Sequence, residues 1–155
     1  MTGTGLYSGL FPKTPGTAGS FAMLLPLYFI LQYNATWLII LVVIASSVLC
    51  LWVADYFEDR FGEDPGTLVM DEWAGQSLTF LTISLTGTPE DHIIILLTGF
   101  MLFRFFDLLK PLGVKKLQDF HGGWGILLDD LLAGLYALIC LKTLIFMWPK
   151  IFGMA

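Results

Sequence analysis

Five carboxylates stand where apolar stretches of this chain begin or end, or inside one: Asp71 and Glu72, Asp107, Asp129 and Asp130. Arg104, Lys110 and His121 lie close to them in sequence. An acid inside a membrane span is costly, about 2.5–3.5 kcal/mol for a central Asp on an insertion scale and less near the interface. Such a set points to a metal and phosphate site at one membrane face. Hard cations such as Mg²⁺ take carboxylates, water and substrate phosphate as ligands. Asp71, Glu72, Asp107, Asp129 and Asp130 are therefore the candidate metal ligands.

Each constellation also has a plainer reading. Asp71 and Glu72 open an apolar segment, where acids offset the helix macrodipole. Asp129 and Asp130 are adjacent, so on a helix they point about 100° apart and cannot both face lipid. They either hold metal, with a direct part in catalysis, or pair with Arg104 or Lys110. Gly75 and Gly134 each lie four residues after an acid, Asp71 and Asp130. Small residues there let helices approach closely. Arg104, Asp107 and Lys110 are spaced by three and share one side of a helix. They form a salt-bridge ladder, or the two cations hold phosphate oxygens while Asp107 binds metal. The stretch Pro15-Gly-Thr-Ala-Gly-Ser20 precedes an apolar run. Backbone N–H groups at a helix start bind anions, which makes Gly16, Thr17 and Ser20 candidate phosphate contacts; the same stretch also suits an ordinary capped helix start. His121 is a general acid or base, a phosphate contact, or a polar interfacial anchor.

The elements that must position these groups are apolar. The chain has 155 residues, is 56% hydrophobic and 14% charged, and carries a net charge of −5. Soluble domains carry about 25% charged residues, and the mean hydropathy here is +0.76. The acidic balance argues against nucleic acid as a partner, and no feature calls for a protein partner. Residues 14–54 hold no charged side chain. Cys50 and Cys140 lie in apolar runs without zinc spacing and read as small hydrophobes. The small residues precede the first apolar run, the reverse of a cleaved signal, so that segment should persist in the mature protein.

We expect an all-α membrane bundle of about five hydrophobic segments forming one domain over 1–155. The segments are Phe21–Tyr33, Thr36–Ala54, Trp73–Leu85, Ile93–Leu109 and Ile126–Trp148. The first is short for a span of about 20 residues and contains Pro26. Tyr33-Asn34 and Thr86–Asp91 read as turns, and Asp55–Asp64 as a solvated acidic loop. If all five cross with the N-terminus in the cytoplasm, Lys13, Arg60, Lys110, Lys115 and Lys116 fall inside and Arg104 lies near that end. Lys142 and Lys150 fall outward, in accord with the positive-inside rule. The Pro12–Ser20 loop, Asp71-Glu72, Asp107–Lys110 and His121–Asp130 then converge on the cytoplasmic face.

Four blocks carry a family resemblance: Gly9-Leu-Phe-Pro-Lys-Thr-Pro-Gly-Thr-Ala-Gly-Ser20, Met70-Asp-Glu-Trp-Ala-Gly75, Phe103-Arg-Phe-Phe-Asp-Leu-Leu-Lys-Pro111 and His121-Gly-Gly-Trp-Gly-Ile-Leu-Leu-Asp-Asp-Leu-Leu-Ala-Gly134. They resemble the phosphatidylglycerophosphatase A family of bacterial membrane phosphatases, in an order that spans nearly the whole chain. The resemblance implies an Mg²⁺-dependent enzyme of the bacterial cytoplasmic membrane. Its reaction would remove the terminal phosphate of a membrane phospholipid, phosphatidylglycerophosphate, to give phosphatidylglycerol. It carries the family's acidic positions onto Asp71, Glu72, Asp107, Asp129 and Asp130, its basic ones onto Arg104 and Lys110, and its histidine onto His121. Gly113 departs from a second proline common in the family, and Lys13 matches no fixed position.

Two other readings remain. Intramembrane carboxylates also mark ion pathways in transporters. CDP-alcohol phosphatidyltransferases use Mg²⁺ and membrane aspartates, but their Asp-Gly-x-x-Ala-Arg signature is absent here. Direct attack by water and an aspartyl-phosphate intermediate both stay open, as do one metal ion or two. The topology is testable with single cysteine probes. Probes at Ser8 and Lys116 should label from the cytoplasm and one at Thr88 from the other side; labelling of all three from one side would mean that some segments do not cross.

Overall fold

The computed structural model describes residues 15–61, 69–109 and 123–153. Within them the chain forms five α-helices and a short 3-10 turn: α1 (Pro15–Gln32), α2 (Thr36–Phe61), α3 (Met70–Thr79), α4 (Pro89–Leu109), α5 (Gly123–Met147) and the 3-10 helix Pro149–Phe152. No strand occurs among the described residues. The expected all-α bundle is what the chain adopts.

The outer surface is that of a protein in lipid. Trp37, Ile40, Leu41, Ile44, Val48 and Trp52 form an exposed apolar stripe along α2. Ile93, Leu97, Met101, Phe105 and Leu108 do the same on α4. Their spacing of three and four residues follows one helix face. The interior takes apolar groups such as Leu27, Ile95 and Phe103, but also polar ones: Ser20, Asp71, Gln76, Ser77, Thr79, Asp129 and Asp130 are buried. Lipid tails are as apolar as leucine, so hydrophobic side chains gain little by turning inward. Among the described residues, three helices are long and apolar enough to cross a membrane, over Thr36–Val53, Pro89–Leu109 and Trp124–Met147.

The other two segments differ from expectation. The apolar part of α1, Gly19–Gln32, is shorter than a span, but its helix starts at Pro15, so 15–20 form its first turns instead of a loop before it. Proline is well suited to a first helical position, since its missing N–H would be unpaired there anyway. Pro26 lies within the helix without ending it. Helix α3 has ten residues and ends at Thr79, short of Leu85. It gives way to a turn at 80–82 and then to irregular chain as far as Thr88, with Gly87 in a left-handed conformation (φ 88°). A ten-residue helix rises about 15 Å, half of a hydrocarbon core. Phe80, which follows it, packs against Gly99 in the middle of α4, and the irregular chain covers the remaining depth. Non-helical backbone at membrane depth is tolerable where protein covers it; Phe80, Ile83 and Leu85 are buried, while Thr82, Ser84 and 86–88 are exposed.

The acidic loop is also partly helical, since α2 runs on through Asp55 to Phe61. Both expected turns are present. Asn34 takes a positive φ of 50° between α1 and α2, a conformation Asn tolerates. At the start of α4 the Thr88 backbone N–H and hydroxyl both donate to Asp91 Oδ2, at 2.7 and 2.8 Å. The Asp91 N–H donates back to Thr88 Oγ1 at 3.4 Å, completing a reciprocal cap.

Helices α3 and α5 approach each other closely. A Cβ added at Gly134 would collide with the Gly75 carbonyl, and one at Gly75 would meet the Asp130 carbonyl oxygen and the Phe103 ring. The close approach expected of these two glycines is therefore present. Overpacking such a contact costs about 1–3 kcal/mol. Gly134→Ala should lower the midpoint of thermal unfolding in detergent, and Gly134→Val should lower it further; an unchanged midpoint in both would contradict this packing.

Candidate active site

Helix starts and ends bring the charged residues together. The first turns of α1 and α3, the last turns of α4 and the early turns of α5 all meet at one end of the bundle. Arg104 is the hub. Its Nη1 lies 3.2 Å from Glu72 Oε1 and 2.7 Å from Asp107 Oδ2. Its Nη2 donates to Thr17 Oγ1 at 3.2 Å. Glu72 accepts a bond through Oε2 from the Ser20 hydroxyl, at 2.7 Å. One guanidinium thus joins α1, α3 and α4, as a planar fork with several donors can.

Local packing sets this geometry. The indole Nε1 of Trp73 donates to the Gly19 carbonyl at 3.0 Å. A Cβ at Gly19 would overlap Val69. These contacts press α1 against α3 and bring Ser20 level with Glu72. The i,i+3 pair of Arg104 and Asp107 follows from helical spacing alone.

Other acids of this end are more deeply buried. Asp71, Asp129 and Asp130 are 5%, 3% and 4% exposed. Asp130 Oδ2 has no hydrogen-bond partner. Carboxylates gathered out of water need a compensating positive charge to stay ionised. Among the described residues, no three acidic, histidine or cysteine side chains already converge as an ion cage.

The structure therefore brings together Thr17, Ser20, Glu72, Arg104 and Asp107 by direct contact, with Asp71, Asp129 and Asp130 buried in the same neighbourhood. Gly16 sits in the first turn of α1. Ser20 lies further along that helix, and its hydroxyl serves Glu72. Lys110 and His121 lie outside the described residues. Sequence reasoning passes over Gln76. It is fully buried, and neither polar atom of its amide has a partner. It follows Glu72 by four residues, on the same side of α3. A glutamine one turn beyond an acid in an apolar stretch is the signal that could have found it. Thr79 is passed over as well; its hydroxyl donates to the Gly75 carbonyl at 3.1 Å.

The profile of the family described as phosphatidylglycerophosphatase A matches residues 1–145. The chain belongs to that family. It is accordingly an enzyme of the phosphatase class, and its apolar helices associate it with a membrane. A Bacteroides thetaiotaomicron protein, provisionally named a phosphatidylinositol-3-phosphatase, is 37% identical over 92% of this chain and 91% of its own length. The phosphatidylglycerophosphatase A of Escherichia coli K12 is 29% identical over 96% of this chain and 84% of its own. That of Haemophilus influenzae is 31% identical over 90% and 83%. No solved structure matches the chain significantly.

Removing Arg104 leaves Glu72 and Asp107 without their shared counter-charge. Breaking a buried ion pair at one partner costs about 3–5 kcal/mol, less where water reaches it. Arg104→Gln should lower the unfolding midpoint, and adding Glu72→Gln should recover part of the loss. Thermal unfolding of the two variants in detergent measures this; a double variant less stable than Arg104→Gln would contradict the pairing.

Proposed function

We propose that this chain hydrolyses the terminal phosphate monoester of phosphatidylglycerophosphate, releasing phosphatidylglycerol and phosphate, in phospholipid biosynthesis at the bacterial cytoplasmic membrane. The observation that carries this reading is Arg104, held by three helices beside buried aspartates at one end of an apolar bundle. A guanidinium suits phosphate oxygens. A membrane bundle with its charged groups at one end suits a substrate that presents phosphate at the bilayer surface. Gathering at one end also speaks against a transporter, whose polar groups would line a path across.

The buried acids fit a hard cation by donor chemistry. Asp71, Asp129 and Asp130 would offer oxygens from α3 and α5, whose backbones touch at Gly75 and Gly134, and one Asp130 oxygen has no partner. Mg²⁺ held there would neutralise phosphoryl charge and activate water. Arg104, with Lys110, binds the phosphate oxygens and stabilises their charge as the ester bond breaks. Asp129 or Asp130 orients the attacking water and takes its proton. As the bond from phosphorus to the headgroup oxygen breaks, His121 gives that oxygen a proton. The positive-inside balance favours a cytoplasmic position for this face.

The Bacteroides relative supports a second substrate, phosphatidylinositol 3-phosphate, also a lipid phosphomonoester. Phosphate release in detergent should be compared for both lipids and for soluble glycerol 3-phosphate, with Mg²⁺, Mn²⁺, Ca²⁺ or EDTA. Phosphatidylglycerophosphate with Mg²⁺ or Mn²⁺ should be fastest, the soluble ester much poorer, and Asp129→Asn and Asp130→Asn nearly inactive though folded. Full activity in EDTA, or equal turnover of the soluble ester, would refute the reading.

A further inference from the structure

We propose that Glu72 is a positioning residue that holds Arg104 against the substrate phosphate, with Ser20 as its brace, and is not a metal ligand. This rests on the phosphatase reading above. It divides an acidic cluster, which sequence treats as one ligand set, into two parts with different work.

The geometry separates them. Both oxygens of Glu72 are engaged by protein groups from different helices, Oε1 by Arg104 at 3.2 Å and Oε2 by Ser20 at 2.7 Å. A cation binding Glu72 would compete with the guanidinium and the hydroxyl for the same two oxygens. Ser20 is fully buried, and Trp73, bonded to the neighbouring Gly19 carbonyl, fixes its level against α3. Asp130, by contrast, is buried with one oxygen unpartnered. Because Glu72 meets Ser20 and Arg104 through separate oxygens, its carboxylate ties α1 and α4 together from α3. Thr17 holds the other arm of the fork through Nη2. An arginine with a fixed plane loses less freedom on binding phosphate than a loose one. Binding of the phosphate group should therefore depend on Glu72, while ion binding should not.

The test uses the full-length protein in detergent. Binding of Mn²⁺ alone is followed by electron paramagnetic resonance, and binding of inorganic phosphate by calorimetry. KM and kcat for the lipid phosphomonoester are measured alongside. Glu72→Gln should weaken phosphate binding and raise KM by about tenfold, the scale of losing one charged partner. Its Mn²⁺ affinity should stay within about twofold of the parent. Glu72→Asp keeps the charge and should restore part of the phosphate affinity. Ser20→Ala removes the hydroxyl that braces Glu72; it should shift phosphate binding in the same direction by less, and it serves if Glu72→Gln does not fold. Asp130→Asn should show the reverse pattern, with Mn²⁺ binding lost. A tenfold loss of Mn²⁺ affinity in Glu72→Gln would overturn the proposal, and so would unchanged phosphate binding. If the parent protein binds phosphate and Mn²⁺ but hydrolyses neither lipid, the phosphatase reading fails while these binding comparisons still judge Glu72.

Discussion

The Arg104 guanidinium is the interaction on which the charged end of the bundle depends. Among the described residues of that cluster it is the one cation facing several carboxylates. Without it, Glu72 and Asp107 would repel each other in a place only 12–13% open to solvent. With it, three helices acquire a common point of attachment. The same group that makes the cluster tolerable is chemically suited to a phosphate. One side chain is thus placed to serve both stability and the proposed phosphate binding, as is common where charge is buried for a purpose.

A second constraint comes from backbone. Helices α3 and α5 touch at Gly75 and Gly134, and no larger residue fits either position without movement. That contact lies beside Asp130 and one turn beyond Asp71. The close approach brings acids from two helices into one neighbourhood, where each makes the other costly. Packing here creates an electrostatic demand, and Arg104 meets only part of it. Asp130, buried with Oδ2 unpartnered, is one place where that demand is felt.

Much of this is legible in the sequence. Hydropathy locates the apolar segments, and alternation of segments across a bilayer gathers Asp71, Arg104, Asp107 and Asp129 at one end without knowledge of contacts. The glycines one turn after Asp71 and Asp130 mark the close approach. What sequence does not show is partner choice. Glu72 and Asp71 are adjacent and chemically alike, yet Glu72 turns to Ser20 and Arg104 while Asp71 is buried near Asp130. A difference of about 100° around one helix decides between them. The start of α1 escapes a sequence reading because glycine and proline usually signal a loop, although a proline at the first helical position is compatible with helix. The early end of α3 escapes it because apolar character continues past Thr79 while helix does not.

That early end has a physical logic. A full-length third helix would carry Phe80 through Leu85 around a cylinder, and part of that set would face lipid. As irregular chain, the segment tucks Phe80, Ile83 and Leu85 into the core and leaves the polar Thr82 and Ser84 exposed. Phe80 fills the space that Gly99 leaves on α4. A short helix also ends its backbone bonding within the depth of the bundle. Helix α3 can then be seated by its first turns, where Trp73 and Glu72 grip α1, and by the Gly75 contact with α5. The position of Glu72 is set by bonds at the charged end and not by the far end of a long rod. A helix anchored in this way holds its carboxylate, and through it the Arg104 fork, in a fixed relation to the neighbouring aspartates.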